Sequence, residues 1–311
     1  MGLFTPAWNS DNEEKRMEAV KKEIAKDNQK KLHEIVNNAK YDEVRQMAVR
    51  GITDQKILGD IAKNTRYGEI SLEELLLYST EVDNEFNKDS NLRREAVKKI
   101  NNQDILMDIA KNAEKDSARM EAVIKVNDQD VLVDIAKNDE DKWVREEAVM
   151  KVTNQDVLVD IAKNDEDEDV RRKAVMKVTN QDVLVDIAKN DEDIWVRWDV
   201  TKKITDQGVL VDIAKNDEDD GVRKEAVMQI TDQDVLVDMA KNCEYKTVRM
   251  YAVEKIIDQD VLVDIVKNDE DIWVRATAVR KITNSDVLLD VSKNDENEDV
   301  RSVANDRINN I

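Results

Sequence analysis

A string of 26 residues recurs along this chain and constrains its fold more than any other feature. The copy that begins at Asp128 reads DQDVLVDIAKNDEDKWVREEAVMKVT, and ten copies, some of them weaker, occupy residues 28–309. Repeats of about 20 to 50 residues are typical of chains in which stacked units share one continuous core. We therefore expect a single repeat array. The repeats begin at Asn28, Asp54, Asn102, Asp128, Asn154, Asn180, Asp206, Asp232, Asp258 and Asn284.

The apolar residues of each repeat are spaced as in two short helices. The core positions in the repeat that begins at Asp128 are Leu132, Ile135 and Ala136 in the first helix and Val144, Ala148, Val149 and Val152 in the second. Asp128 and Asp141 stand where N-caps are needed, and we predict that Asn138 ends the first helix in the left-handed conformation. Neither helix is long enough to be stable alone in water, so each must bury its apolar face against its neighbours. The pattern predicts an all-α fold of stacked helix pairs.

The segment from Asp141 to Ala148 contains the pattern D-x-x-V-R-x-x-A, which recurs in later repeats. This pattern resembles the HEAT-repeat superfamily, especially the short HEAT-like repeats of bacteria, over about nine-tenths of the chain. The resemblance implies a right-handed α-solenoid, a HEAT-like superhelix of ten two-helix repeats whose second helices line the concave surface. Because ordinary HEAT repeats have about 40 to 47 residues, a solenoid of the leucine-rich-variant type stays open as an alternative.

Two segments depart from the regular array. Residues 1–27 precede the first repeat, and we expect them to cap the exposed end of the core, as terminal segments of solenoids do. An insertion at about residues 65–87 interrupts the second repeat. Ser71 and Glu74 form a capping-box pattern there, which predicts an extra helix. That helix either packs on its own repeat or docks a partner.

Some columns of the repeat hardly change from copy to copy. An arginine recurs in every second helix, and an aspartate or glutamate recurs in every first helix. No enzyme needs ten copies of one site, so we interpret both columns as a structural ladder of arginines and carboxylates that ties neighbouring repeats together. Representative members are Arg145, Arg171, Arg197 and Arg223, with Asp134, Asp160, Asp186 and Asp212.

Other columns vary, and on a helical wheel they project away from the core of the second helix. Tryptophan, tyrosine and methionine, which are enriched at protein interfaces, occur repeatedly at these positions. We predict a partner-binding surface there, with the alternative that some rings only fill crevices between repeats. The predicted anchors are Trp143, Trp195, Trp198, Met250, Tyr251 and Trp273.

The charge and the reactive residues exclude several function classes. With 49 basic and 70 acidic residues the net charge is −21, which disfavours direct binding of nucleic acid. The single histidine, His33, and the single cysteine, Cys243, allow neither a multi-histidine metal site nor an internal disulfide. The acidic loops lack the glycine and closing glutamate of a calcium loop. We expect no catalytic residues, no metal and no cofactor.

These observations predict a non-catalytic scaffold that binds a protein or peptide. An alternative is an acidic mimic of nucleic acid that occupies a basic protein, and a HEAT-like DNA-repair or lyase-type enzyme is a weaker one. No apolar run approaches the roughly 18 residues of a membrane span, and no signal peptide is visible. We therefore expect a monomeric cytoplasmic protein without membrane contacts.

Overall fold

The computed structural model describes the backbone of residues 6–64 and 82–310 and the side chains of residues 6–63 and 91–310. In this part of the chain all regular elements are helical and no β-strand occurs. Helix pairs follow one another in register with the 26-residue repeat, which confirms the predicted all-α solenoid. The extra helix predicted around Ser71 and Glu74 lies outside the described residues.

A 3₁₀ turn, Ala7–Asn9, and a helix, Glu13–Ala25, precede the repeats. The first helices of the repeats are Gln29–Asn38, Gln55–Asn64, Gln103–Asn112, Gln129–Asn138, Gln155–Asn164, Gln181–Asn190, Gln207–Asn216, Gln233–Asn242, Gln259–Asn268 and Ser285–Asn294. The second helices are Asp42–Gly51, Val82–Lys99, Asp116–Lys125, Lys142–Lys151, Glu168–Lys177, Ile194–Thr201, Asp220–Gln229, Lys246–Lys255, Ile272–Lys281 and Glu298–Asn309. Val82 lies inside the predicted insertion, so the second helix of repeat 2 begins before the insertion was expected to end.

The predicted N-caps are confirmed, whereas the predicted stop of the first helix is wrong. Asp128 Oδ1 accepts a hydrogen bond from the Val131 amide at 3.0 Å. Asn138 keeps a helical conformation, and its Nδ2 donates to Asp134 Oδ1 at 3.0 Å. Among the described residues only Asp27, with φ of 52°, occupies the left-handed region. The asparagine column therefore closes the helix through an i−4 side-chain bond, and the chain then turns into an extended residue.

The core lies between the two helices of each repeat and between neighbouring repeats. Every core position predicted for the repeat that begins at Asp128 is at most 4% exposed. In residues 158–311 the second helices of successive repeats pack closely against each other, while successive first helices touch much less. A second helix therefore buries more of its circumference than a first helix does.

A lysine at the end of most second helices links that helix to the preceding repeat. Lys151 Nζ donates to the carbonyl oxygens of Val123, Ile124 and Val126 at 2.8, 2.6 and 2.5 Å. Burial lowers the pKa of Lys151. The last carbonyls of a helix have no partner within that helix, so this ammonium caps the preceding helix from the next repeat. Other lysines placed in the same way are Lys99, Lys125, Lys203, Lys255 and Lys281.

The chain divides into two compact units, Met1–Val157 and Leu158–Ile311. The first contains the N-terminal helix and repeats 1 to 4, and the second contains repeats 6 to 10 with most of repeat 5. Over residues 6–64 and 82–310, no helix has both the length and the apolar character that a membrane crossing requires.

Candidate partner-binding surface

Three predicted anchors are tryptophans at the same position, the second residue of a second helix. Trp143, Trp195 and Trp273 are 56%, 53% and 54% exposed. The N-cap aspartate fixes this position, because Asp193 Oδ1 accepts from the Trp195 amide at 2.9 Å and Asp271 Oδ1 does the same for Trp273. About half of each tryptophan is therefore exposed to solvent in the first turn of a capped helix.

Trp198 lies deeper than Trp195 and supports it. The two rings meet edge to face, with centroids 6.0 Å apart and planes at 89°. Lys202 Nζ lies over the Trp198 ring, 3.0 Å from its centroid. Trp198 is thus half-buried beneath a lysine, while Trp195 remains the exposed member of the pair. Edge-to-face contact is one of the arrangements that aromatic pairs prefer.

Met250 and Trp273 border an apolar groove in the Leu158–Ile311 unit. A cavity of about 370 Å³ lies between the second helices of repeats 8 and 9, lined by Lys246, Thr247, Met250, Asp271 and Trp273. Met250 and its neighbour Tyr251 are half-buried, and Lys224 Nζ lies 4.6 Å from the centre of the Tyr251 ring. Of the predicted anchors in this unit, Met250 and Trp273 are therefore brought together at one concavity.

The prediction that the whole variable stripe projects into solvent is wrong. In repeat 9 the stripe positions Ala276 and Thr277 are 3% and 5% exposed. Because successive second helices pack on each other, these two positions face the neighbouring helix. The position of Trp273 stays open, as does the last stripe position, where Met176 is 60% exposed. The exposed part of the stripe is accordingly narrower than the helical wheel indicates.

An exposed glutamate precedes two of the exposed tryptophans in the chain. Glu192 and Glu270 precede Trp195 and Trp273 by three residues, and their side chains are 89% and 91% exposed. Residues 158–311 contain 37 acidic and 23 basic residues, so the unit that holds the apolar groove is strongly acidic. A cation near this surface is therefore attracted both by the carboxylates and by the faces of the rings.

The arginine column forms a row of ion pairs, but its partners differ from those predicted. Arg197 is 4% exposed, and its Nε and Nη2 donate to Asp217 at 3.0 and 3.2 Å. Burial lowers the pKa of Arg197, yet the hydrogen bond and charge of Asp217 outweigh burial and raise it overall. Arg171 pairs in the same way with Asp191, and Arg145 Nη1 donates to the Asp139 carbonyl at 2.9 Å. The arginines thus bind the loops and not the first-helix aspartates.

The first-helix aspartates form a separate row with lysines. Lys111 Nζ lies 2.6 Å from Asp134 Oδ2, and Lys163 Nζ lies 2.5 Å from Asp186 Oδ2. Asp212 is paired with Lys189 in the same way, and Asp160 accepts from Asn164 Nδ2 at 2.8 Å. Sequence columns alone identified the charged residues, whereas the choice of partner depends on which helices are adjacent.

His33 and Cys243 also occupy positions in these rows. His33 Nε2 lies 3.0 Å from Asp60 Oδ2, so the histidine reaches the acidic row in the repeat where Asn37 replaces the usual lysine. Cys243 is 8% exposed and stands at the loop position where repeats 4 to 7, 9 and 10 have an aspartate. Arg223 lacks that aspartate and instead donates Nη2 to Asp220.

The loop of repeat 8 borders the candidate site, and the sequence analysis did not predict its involvement. It reads Asn242-Cys243-Glu244-Tyr245, where the usual loop reads Asn-Asp-Glu-Asp. A larger cavity of about 620 Å³ lies beside this loop. A signal that could have located it is the loss of both loop aspartates directly before the variable residues Thr247 and Met250, although repeats 1 and 3 also lack both aspartates.

Among solved structures, the chain is similar to a repeat protein described as a leucine-rich repeat variant with a novel repetitive protein structural motif. The TM-score is 0.55 and the sequence identity 22%, over 69% of this chain and 86% of that chain. No protein-family model and no curated protein matches the chain. At this identity the likeness shows a repeat solenoid and does not single out the HEAT-like class.

Proposed function

We propose that this chain is a non-catalytic scaffold that binds a protein or peptide through the exposed side chains of its second helices. In the Leu158–Ile311 unit the binding residues are Trp195, Trp198, Met250, Tyr251 and Trp273, and Trp143 is the corresponding anchor in the first unit. We also retain the HEAT-like assignment as a proposal, because the D-x-x-V-R-x-x-A pattern recurs between the binding positions.

The observation that carries the proposal is the apolar groove beside Trp273. Trp273 is 54% exposed and lines a concavity of about 370 Å³ together with Met250. This exposed apolar surface does not contribute to the stability of the fold. Exposed apolar patches with polar rims mark interaction sites in soluble proteins. Large aromatic anchors at such sites supply a large share of the binding free energy.

The acidity of the chain favours a second candidate, an acidic mimic that occupies a basic protein. The strongly exposed glutamates of the second unit, among them Glu192 and Glu270, would carry that role. The two candidates differ in what holds the partner. A mimic depends on many charges and tolerates the loss of single rings, whereas a scaffold with aromatic anchors does not.

The test compares partner capture by the wild type and by a Trp195→Ala/Trp273→Ala variant at low and high salt. An Ile257→Ala/Leu289→Ala variant is the matched control, because both side chains are exposed but lie outside the second helices. Circular dichroism first verifies that each variant is folded. Partners held at high salt by the wild type and the control, but lost by the tryptophan variant, support the scaffold.

A basic partner that the tryptophan variant retains at low salt, and that salt removes from every form, supports the mimic instead. Equal retention of every captured protein by all three forms at high salt contradicts the role of the tryptophans.

A further inference from the structure

Two adjoining cavities on repeats 7 to 9 form a cleft that has an apolar end and an acidic end. The apolar cavity and the larger cavity of about 620 Å³ share three wall residues, Lys246, Thr247 and Asp271, and therefore adjoin each other. Met250 and Trp273 lie at the apolar end. Glu244 and Glu270 lie at the other end. A ligand that fills the cleft must offer apolar surface and a polar head within one short stretch.

The charges of the acidic end are only partly neutralised by the chain itself. Asp220 accepts hydrogen bonds from Arg223 Nη2 and from Thr247 Oγ1. The carboxylate of Asp220 is therefore already paired within the chain. The side chain of Glu270 is 91% exposed and its nearest cation, Arg249 Nη2, is 3.7 Å away. Arg249 is bound by Asp269 through both Nε and Nη2. Glu270 and the exposed Glu244 therefore remain able to receive a cation from outside.

Basic side chains of this chain lie over several of its aromatic rings. Lys142 lies over Trp143, Lys202 over Trp198, Arg223 over Tyr245 and Lys224 over Tyr251. Among the described residues no lysine or arginine lies over the ring of Trp273, although this ring borders the cleft and follows Glu270 by three residues. Ring faces attract cations, and a long basic side chain can lay its methylene groups on apolar surface while its head reaches a carboxylate.

We propose that the cleft binds a segment of a partner protein in which a lysine or arginine stands beside a large apolar side chain. This proposal rests on the scaffold function above and specifies its partner. The apolar side chain contacts Met250 and Trp273, and the cation lies between the Trp273 ring and the carboxylates of Glu244 and Glu270. The excess of acidic residues in this unit steers such a segment toward the cleft and repels an acidic one.

The cleft also contains a cation of the chain itself, Lys246, whose removal should change ligand affinity in the opposite direction from removal of Glu270. Lys246 is 61% exposed, and its Nζ lies 3.7 Å from Asp271 Oδ2. A basic ligand is repelled by this ammonium and attracted by Glu270. Glu270→Gln should therefore weaken binding of a basic segment by about two- to five-fold at low salt, and Lys246→Gln should strengthen it by a similar factor. For an acidic ligand both signs reverse.

The experiment selects ligands from a phage-displayed library of random 12-residue peptides on the folded full-length chain. Peptides are kept if Trp273→Ala weakens their binding by about thirty-fold or more, as expected for an aromatic anchor. Their affinities for Glu270→Gln, Lys246→Gln and a Glu218→Gln control are then measured by fluorescence anisotropy at two salt concentrations. The side chain of Glu218 is 81% exposed, and Glu218 does not line the cleft.

We expect the retained peptides to carry lysine or arginine next to a large apolar residue, to lose affinity with Glu270→Gln and to gain it with Lys246→Gln. Retained peptides that are acidic or neutral, or that show the opposite signs or no change, overturn this inference while leaving the scaffold function intact. A library that yields no peptide dependent on Trp273 overturns the scaffold function at this groove as well.

Discussion

The guanidinium of Arg223 lies over the ring of Tyr245, with its Cζ 3.8 Å from the ring centroid. In repeat 6 the equivalent arginine, Arg197, instead donates two hydrogen bonds to Asp217 in the next loop. Cys243 replaces that aspartate in the loop that follows Arg223. The Nε of Arg223 is buried and has no hydrogen-bond partner among the described residues. The change to Cys243 therefore removes the ion-pair partner of this arginine, and the change to Tyr245 supplies the ring over which it lies.

We expect Cys243→Asp to rebuild the missing ion pair and to raise the free energy of unfolding by about 1 kcal/mol, since hydrogen bonds to charged groups stabilise by amounts of this order. Urea unfolding of wild type and variant measures the change. The reverse substitution, Asp217→Cys, copies the break into repeat 6 and should destabilise. If Cys243→Asp leaves stability unchanged or lowers it, the stacked position of Arg223 on Tyr245 is as favourable as the ion pair.

Arg197→Ala should lower the free energy of unfolding by about 3 kcal/mol, because it leaves the buried carboxylate of Asp217 without its partner. Arg197→Lys keeps the charge but not the two parallel hydrogen bonds, so its effect should be smaller. Thermal melting monitored by circular dichroism measures both variants. A folded Arg197→Ala protein with wild-type melting and lost partner binding would show that the arginine row belongs to the binding surface and not to the framework.

The short second helix of repeat 6 gives a third prediction. Ile194–Thr201 has 8 residues, and Gln229 stands where other repeats have the capping lysine and bonds to Glu225 instead. Gln229→Lys should lengthen this helix and raise the free energy of unfolding by about 1 kcal/mol. Amide hydrogen exchange at Lys202 and Lys203 and urea unfolding measure the two effects.

The matched reverse change is Lys203→Gln, which should destabilise, because Lys203 Nζ donates to the carbonyls of Val175, Met176 and Val178. A competing cause of the short helix is Thr201, whose Oγ1 donates to the Arg197 carbonyl at 2.8 Å. If Thr201→Val extends the helix and Gln229→Lys does not, the threonine ends the helix.

How much could be predicted from the sequence differs between the core and the surface. Leu132 and Val144 were predictable because a strict repeat forces the same apolar position to the same environment in every copy. The bond from Asn138 to Asp134 was not, because an asparagine at a helix end can adopt a left-handed conformation or bond back to residue i−4. The burial of Trp198 depends on how closely successive second helices pack. A helical wheel describes one helix and carries no information about that packing.

The aspartate row predicts how stability depends on pH. Hydrogen bonds from Lys163 and Asn190 lower the pKa of Asp186 below its usual value. A carboxyl group with a lowered pKa in the folded state stabilises at pH values above its unfolded pKa, about 3.9, and loses this contribution as the pH falls through the folded value. The same shift occurs at Asp108, Asp134, Asp212, Asp238 and Asp264.

Asp186→Asn should therefore melt below the wild type at pH 7, and the difference should shrink once the pH falls below about 4. Melting curves at pH 7, 5, 4 and 3 measure it. The control is Asp182→Asn, which removes the same charge from an exposed position of the same helix outside the row. Because both variants lower the negative charge equally, the comparison separates the ion pair from the general repulsion of an acidic chain. A difference between Asp186→Asn and the wild type that widens toward pH 3 contradicts the assigned role of this row.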